Sequence, residues 1–77
     1  MVEQLVEYIV KHLVTQPTSV AVSGVDTPEK YIVQIRVAGP DIARVIGSEG
    51  RILRALRTLA SVVGEPLNKD IVVDVIR

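Results

Sequence analysis

Alternation over residues 30–37 is the feature that most constrains the fold of this chain. Its apolar positions recur at every second residue, at Tyr31, Val33, Ile35 and Val37. A period of two predicts a β-strand with one buried face and one exposed face. Because a sheet with one apolar face needs a second layer to cover it, the other segments must supply partner strands and a helical layer.

Two further segments have the pattern of partner strands. Residues 19–25 lie before Asp26-Thr27-Pro28, a sequence typical of a turn. This short connection predicts an antiparallel hairpin between 19–25 and 30–37. Residues 70–76 alternate again and are predicted as the last strand. The connection between 30–37 and 70–76 is long enough to make these two strands parallel neighbours.

Helical spacing predicts three helices. The first covers residues 2–14, and its expected buried face is Val2, Leu5, Val6, Ile9 and Leu13. A short second helix covers residues 40–46 and ends at Gly47. The third begins around Gly50 and ends near Gly64. Its expected buried residues are Ile52, Leu53, Leu56, Leu59, Ala60 and Val63.

The resulting order is α-β-β-α-α-β. It predicts an α+β fold with two layers, in which a three-stranded mixed sheet carries three helices on one face. We expect residues 1–77 to form a single domain, because a chain of 77 residues has no room for separate catalytic and substrate-binding domains.

Composition excludes several kinds of site. The chain has no cysteine, one histidine (His12), two tyrosines and neither Phe nor Trp. These counts exclude disulfides, thiolate zinc sites and multi-histidine metal centres, and no catalytic acid–base pair can be assembled. We therefore expect no enzyme activity, cofactor, metal or small-molecule substrate. Without a cationic secretion signal or an apolar run long enough to span a bilayer, we expect a soluble cytoplasmic protein with no membrane partner.

The segment from Val45 to Leu53 carries the most specific signal. Gly47 and Gly50 enclose two residues at the junction of two predicted helices. Glycine permits positive φ and close backbone approach. The helix that follows presents N–H groups and a partial positive charge at its start. This combination predicts a phosphate site, flanked by Arg44, Arg51 and Arg54.

Charge is divided unevenly along the chain. Nine basic and nine acidic residues give zero net charge. Residues 42–64 hold four arginines and one glutamate, a local charge of +3 that leaves −3 for the remainder. A basic patch on a neutral protein is a weak form of the electrostatic footprint of a nucleic-acid backbone binder.

Ile46-Gly47-x-x-Gly50-x-x-Leu53 matches the GxxG pattern of KH domains, and the element order resembles the type II KH arrangement. Over essentially its whole length the chain resembles the small bacterial single-KH RNA-binding proteins of the KhpA type. The resemblance implies a non-enzymatic protein that binds about four unpaired nucleotides of single-stranded RNA with broad specificity, as an RNA chaperone does. It also implies a homodimer or a heterodimer with a larger KH protein.

The resemblance also assigns residues to the RNA site by position. These candidates are Val45, Ile46, Gly47, Ser48, Glu49, Gly50, Arg51 and Leu53, with Arg44 and Arg54 beside them. The two glycines shape the loop and the two residues between them form its tip, while the aliphatic residues supply the groove floor or its support. An aliphatic floor is typical of KH grooves, whereas RRM and cold-shock domains need aromatic platforms.

The loop tip departs from the family pattern. Its central positions usually include a basic residue, and here they are Ser48 and Glu49. A carboxylate there repels a phosphate, and Arg51 is placed either to neutralise it or to bind RNA, so we expect weak RNA affinity. A second hypothesis is therefore a KH-type protein-interaction module that pairs through the open sheet face or the helix–loop region. A third is a ferredoxin-like ligand-sensing domain, which predicts a small-molecule pocket.

Overall fold

The computed structural model describes residues 2–76, and the predicted domain limits at residues 1 and 77 lie outside them. Within this range the helices are α1 (Val2–Leu13), α2 (Ile42–Ile46) and α3 (Arg51–Val63). The strands are β1 (Ala21–Asp26), β2 (Lys30–Arg36) and β3 (Asp70–Val75). Short 3-10 turns cover Pro17–Ser19, Gly39–Asp41, Ser48–Gly50 and Glu65–Leu67. The predicted order α-β-β-α-α-β is confirmed.

The strands form a mixed sheet in the order β1-β2-β3. β1 and β2 are antiparallel, and β2 and β3 are parallel, as the alternation and the connection lengths predicted. Thr27 closes the hairpin, because both its N–H and its hydroxyl donate to the Lys30 carbonyl at 2.9 Å. The end of α3 lies beside the start of β3. The loop between α2 and α3 precedes the other end of this helix, so it lies at the opposite end of the sheet.

The helices cover one face of the sheet, as predicted. The buried apolar residues are almost all aliphatic and β-branched: Val2, Val6, Val10, Val33, Ile35, Val45, Leu56, Ala60, Ile71, Val73 and Val75. On the open face Ile32 pairs with Val72, and Gln34 pairs with Asp74. That face therefore mixes aliphatic and polar side chains, as the sequence predicted.

Two details of the predicted helix faces are wrong. The buried stripe of α1 is Val2, Val6 and Val10, of which Val10 was not predicted. The predicted Leu5, Ile9 and Leu13 are only half-buried. Spacing of four residues along a short straight helix keeps these three valines over the sheet, so the stripe does not reach Leu13. Leu59 of α3 is 46% exposed, because its neighbour Ala60 occupies the contact with the sheet layer and Leu59 lies about 100° further round the helix.

Candidate nucleic-acid interface

The loop between α2 and α3 is a tight turn built from two glycines and a left-handed glutamate. Gly47 ends α2 by donating its N–H to the Ala43 carbonyl at 2.8 Å. Its backbone has φ 76° and ψ 178°, while Glu49 has φ 57° and Gly50 has φ 72°. Three of the four loop residues therefore lie at positive φ, which turns the chain sharply enough for α3 to begin at Arg51.

The two glycines meet different surroundings. A Cβ added at Gly47 would lie 2.7 Å from Cγ1 of Ile52, a contact that real side chains do not make. A Cβ added at Gly50 meets nothing within 4 Å. Gly47 is therefore required both for its backbone conformation and for the close approach of Ile52, whereas Gly50 is required for its conformation alone.

The start of α3 provides the positive end of a helix dipole. Its N-cap is Gly50, which has no side chain to accept a bond from the first turn. Helix N-termini present N–H groups and a partial positive charge, and together these favour a bound anion. The N–H of Arg51 already bonds the Ser48 carbonyl. Ser48 is exposed at the tip of the turn.

Three exposed arginines, Arg44, Arg51 and Arg54, lie near this turn, and the exposed Arg57 follows further along α3. The Nε atom of Arg44 lies 3.7 Å from Oδ1 of Asp41, and the Arg44 side chain is 58% exposed. Arg54 donates from Nη2 to the backbone carbonyl of Glu49 at 2.8 Å. Across residues 2–76 the structure records no ion pair between Arg51 and the Glu49 carboxylate. Arg51 therefore does not neutralise the negative charge at the loop tip.

Aliphatic side chains lie behind the turn at different depths. Val45 is fully buried in the core, so it supports the groove from beneath. Ile46, Ile52 and Leu53 are half-buried and pack against the core with part of their surface accessible. Their accessible surface lies beside the turn, and α2 packs against both α3 and β3 to hold this region in place.

Asp41 is a buried carboxylate that fixes α2 to the segment after α1. It accepts bonds from the Thr15 N–H (3.0 Å), the Thr15 hydroxyl (2.9 Å) and the Gln16 N–H (3.1 Å). These bonds hold the pKa of Asp41 below its usual range, and the bond from the Thr15 N–H has the largest effect. The nearby charge of Arg44 lowers the pKa further. No local sequence pattern reveals these bonds, because the partners of Asp41 lie 25 and 26 residues away in the chain.

Asp41→Asn is expected to lower the melting temperature at neutral pH by several degrees. This is roughly the effect of weakening the buried hydrogen bonds that the Asp41 carboxylate accepts from Thr15 and Gln16. An amide has one acceptor oxygen, and its NH₂ group would face donors of Thr15 and Gln16. The pKa of Asp41 is depressed, so its stabilisation is present above the unfolded-state pKa near 4 and is lost as pH falls through the folded-state value. Thermal unfolding by circular dichroism from pH 2.5 to 7 measures both effects.

The difference in melting temperature between wild type and Asp41→Asn should therefore be full at pH 7 and shrink at acid pH. Asp74→Asn, on the exposed face of the sheet, is the control for loss of one negative charge and should have little effect. A difference that stays constant down to pH 2.5 would contradict the role of the Asp41 carboxylate.

Other kinds of site have little support in the described part of the chain. None of the helices in residues 2–76 is long and apolar enough to cross a membrane. The same residues contain no group of three or more histidine, aspartate or glutamate side chains placed to hold a metal. A cavity of about 130 Å³ lies between α1 and the end of α3, lined by residues that include Val2, Val63 and Leu67. Ligand pockets for small molecules are typically about 300–1,000 Å³, so this cavity does not favour the ligand-sensing alternative.

The α-β-β-α-α-β order, the parallel β2–β3 pair and the glycine-flanked turn between α2 and α3 define a type II KH domain. The family model described as KhpA/KhpB, KH domain, matches residues 3–75. The chain belongs to this family.

Relatives with established names agree in length and sequence. RNA-binding protein KhpA of Clostridium acetobutylicum is 40% identical over 74 residues, which cover 96% of this chain and 99% of that protein. RNA-binding protein KhpA of Treponema pallidum is 48% identical over 61 residues, covering 79% of this chain and 76% of that protein. Among solved structures, a single-residue variant of Aquifex aeolicus Era bound to GDP·AlF₄⁻ superimposes with a TM-score of 0.63 at 20% identity. The match covers 97% of this chain but 30% of Era, so the similarity concerns the fold alone.

Proposed function

We propose that this chain is a non-enzymatic RNA-binding module that holds the backbone of single-stranded RNA on the turn between α2 and α3. One observation carries the proposal: the turn presents an uncapped helix start beside exposed arginines in a chain of the KhpA/KhpB family. The names of the KhpA relatives support RNA as the ligand.

Phosphates and bases meet different parts of the site in this proposal. The Ser48 hydroxyl and the start of α3 bind phosphate oxygens, and the guanidinium groups of Arg51 and Arg44 add charge. Ile46 and Leu53 contact bases through their accessible surface, while Val45 supports them from the core. Gly47 and Gly50 give the turn its shape. Glu49 limits affinity, since its carboxylate lies where phosphate has to approach.

Arg51→Gln is expected to weaken binding of a short unstructured RNA and to reduce the slope of log K against log salt by about 0.7, the value for one phosphate contact on a single strand. The reason is that Arg51 is exposed on the first turn of α3 and has no recorded ion pair within residues 2–76. Fluorescence anisotropy at several salt concentrations measures both quantities.

Arg57→Gln is the matched control, because Arg57 is an exposed arginine on the same helix about 9 Å further along its axis. It should change neither affinity nor slope appreciably. If the folded wild-type protein does not bind RNA at low salt, the proposed function is wrong. If Arg51→Gln and Arg57→Gln behave alike, binding does not use the turn.

A second candidate function is self-association, and the exposed side of α3 favours it. Leu59 and Val62 lie three residues apart on this helix and are 46% and 65% exposed. Residues three apart share a helix face, so they form one apolar strip at a place where monomeric proteins usually carry polar side chains. We propose a second copy of this chain, or the KH domain of a larger protein, as its partner.

Val62→Glu is expected to convert a dimer of two 8.4 kDa chains into a monomer while the far-ultraviolet spectrum stays unchanged, because Val62 contributes little to the core. Size-exclusion chromatography with light scattering measures the mass. Ser61→Glu, the neighbouring exposed position outside the strip, should leave the mass unchanged. A wild-type protein that is monomeric at high concentration would contradict the homodimer.

A further inference from the structure

Glu49 has a backbone conformation that its residue type does not favour. Its φ of 57° and ψ of 27° are left-handed, a region that costs a non-glycine residue free energy unless its surroundings hold it there. Gly50 is also left-handed, with ψ 18°, and a Cβ at this position would meet open space, so packing against such a Cβ does not fix the turn. The Gly50 N–H donates to the Gly47 carbonyl at 3.3 Å, a long distance for a backbone hydrogen bond. A side-chain contact supplements the backbone bonds of the turn at the loop tip.

Arg54 makes that contact. Its Nη2 atom donates to the backbone carbonyl of Glu49 at 2.8 Å, the distance of a charge-assisted hydrogen bond. The recorded acceptor is the carbonyl oxygen and not the carboxylate. Arg54 lies one turn into α3, a rigid element, and therefore fixes the carbonyl relative to the helix start that follows it.

We infer that Arg54 is a positioning residue of the RNA site. It holds Glu49 and Gly50 in the left-handed conformation that leaves the helix start open, and it acts on RNA through the loop instead of neutralising a phosphate. This inference rests on the proposed function for its effect on RNA. The hydrogen bond from Arg54 to the Glu49 carbonyl, called the brace below, is a property of the free protein. This hydrogen bond distinguishes Arg54 from Arg51, an arginine one turn earlier in the helix that makes no such bond to the loop.

Salt dependence distinguishes the two roles. Arg54→Gln should weaken RNA binding about fivefold at low salt, the effect of losing one hydrogen bond that orders the loop, and leave the salt slope within about 0.2 of wild type. Arg51→Gln, measured beside it, should lower the slope by about 0.7. If Arg54→Gln lowers the slope as much as Arg51→Gln does, Arg54 is a phosphate ligand and the inference is wrong.

A double-mutant cycle separates the backbone contact from charge pairing with the Glu49 side chain. Glu49→Gln removes the carboxylate but keeps the backbone carbonyl, so Arg54→Gln should weaken RNA binding by the same factor in the Glu49→Gln protein as in wild type. If the effect of Arg54→Gln disappears in that background, Arg54 acts by neutralising Glu49, and the positioning role is overturned.

The free protein provides a readout that does not depend on RNA. In the Arg54→Gln variant the ¹³Cα chemical shifts of Glu49 and Gly50 should move away from left-handed values, and amide exchange at Gly50 should accelerate. Arg57→Gln should leave both unchanged. Unchanged loop shifts in Arg54→Gln would overturn the brace even if RNA binding falls. Altered loop shifts in a protein that binds no RNA would instead contradict the proposed function and leave the brace established.

Discussion

Gly47→Ala is expected to destabilise the domain by about 3 kcal/mol, from backbone strain in a region that is essentially restricted to glycine and from overpacking against Ile52. The backbone at Gly47 has φ 76° and ψ 178°, and the added Cβ would lie 2.7 Å from Cγ1 of Ile52. Ile52 is attached to the first turn of α3, so relieving the contact shifts the helix whose start forms the RNA site. Urea unfolding followed by circular dichroism gives the change in free energy.

Two other glycines provide the controls. Gly50→Ala keeps open space around the new methyl group but retains a φ of 72°, so it should cost about 1 kcal/mol. Gly39→Ala has open space and no positive φ, so it should change stability by less than about 0.5 kcal/mol. If Gly47→Ala costs no more than Gly50→Ala, the contact with Ile52 is not a constraint on the turn.

Glu49→Lys is expected to raise RNA affinity about thirtyfold at low salt, because it changes the charge at the loop tip by two units and each is worth about 1 kcal/mol at 4 Å in water. The change places a basic residue in the loop tip, where the KH pattern that the sequence resembles usually includes one at either central position. Lysine adopts the left-handed backbone no more readily than glutamate, so the strain in the turn is the same in both proteins. Fluorescence anisotropy with the same unstructured RNA measures the gain.

Glu65→Lys is the control for net charge. Glu65 lies just beyond the end of α3, about 20 Å of helix away from the turn, and it is exposed. Both variants carry the same overall charge. When the two are compared at 0.1 M salt, Glu65→Lys should raise affinity less than about twofold, since charges beyond a Debye length of about 10 Å are then screened. Equal gains in the two variants would show that RNA responds to total charge and not to the turn.

Local patterns in the sequence predicted much of the fold. Alternation at Val33 and Ile35 and again in residues 70–76 predicted the sheet and its covered face. Gly47 and Gly50, with Pro40 upstream, predicted two helices joined by a tight turn. These features depend on neighbouring residues alone, so a single sequence contains them.

The remaining features depend on contacts that no local pattern records. Asp41 bonds residues 25 and 26 positions earlier, and a period of 3.6 did not show that Leu59 lies at the flank of the α3 stripe. The bond from Arg54 to the Glu49 carbonyl exists because Glu49 is left-handed, a conformation that propensity does not predict for glutamate. The sequence signal for this bond was an arginine, Arg54, five residues after Glu49, and the sequence analysis predicted that Arg54 flanks a phosphate site.

Amide chemical shifts during titration with short unstructured RNA at low salt test most directly whether the turn is the RNA site. In a ¹⁵N-labelled protein the largest changes should fall on residues 47–53 and on Arg44, and the open sheet face at Ile32 and Val72 should change little. Changes concentrated on that sheet face, or none with a folded protein and excess RNA, would contradict the account.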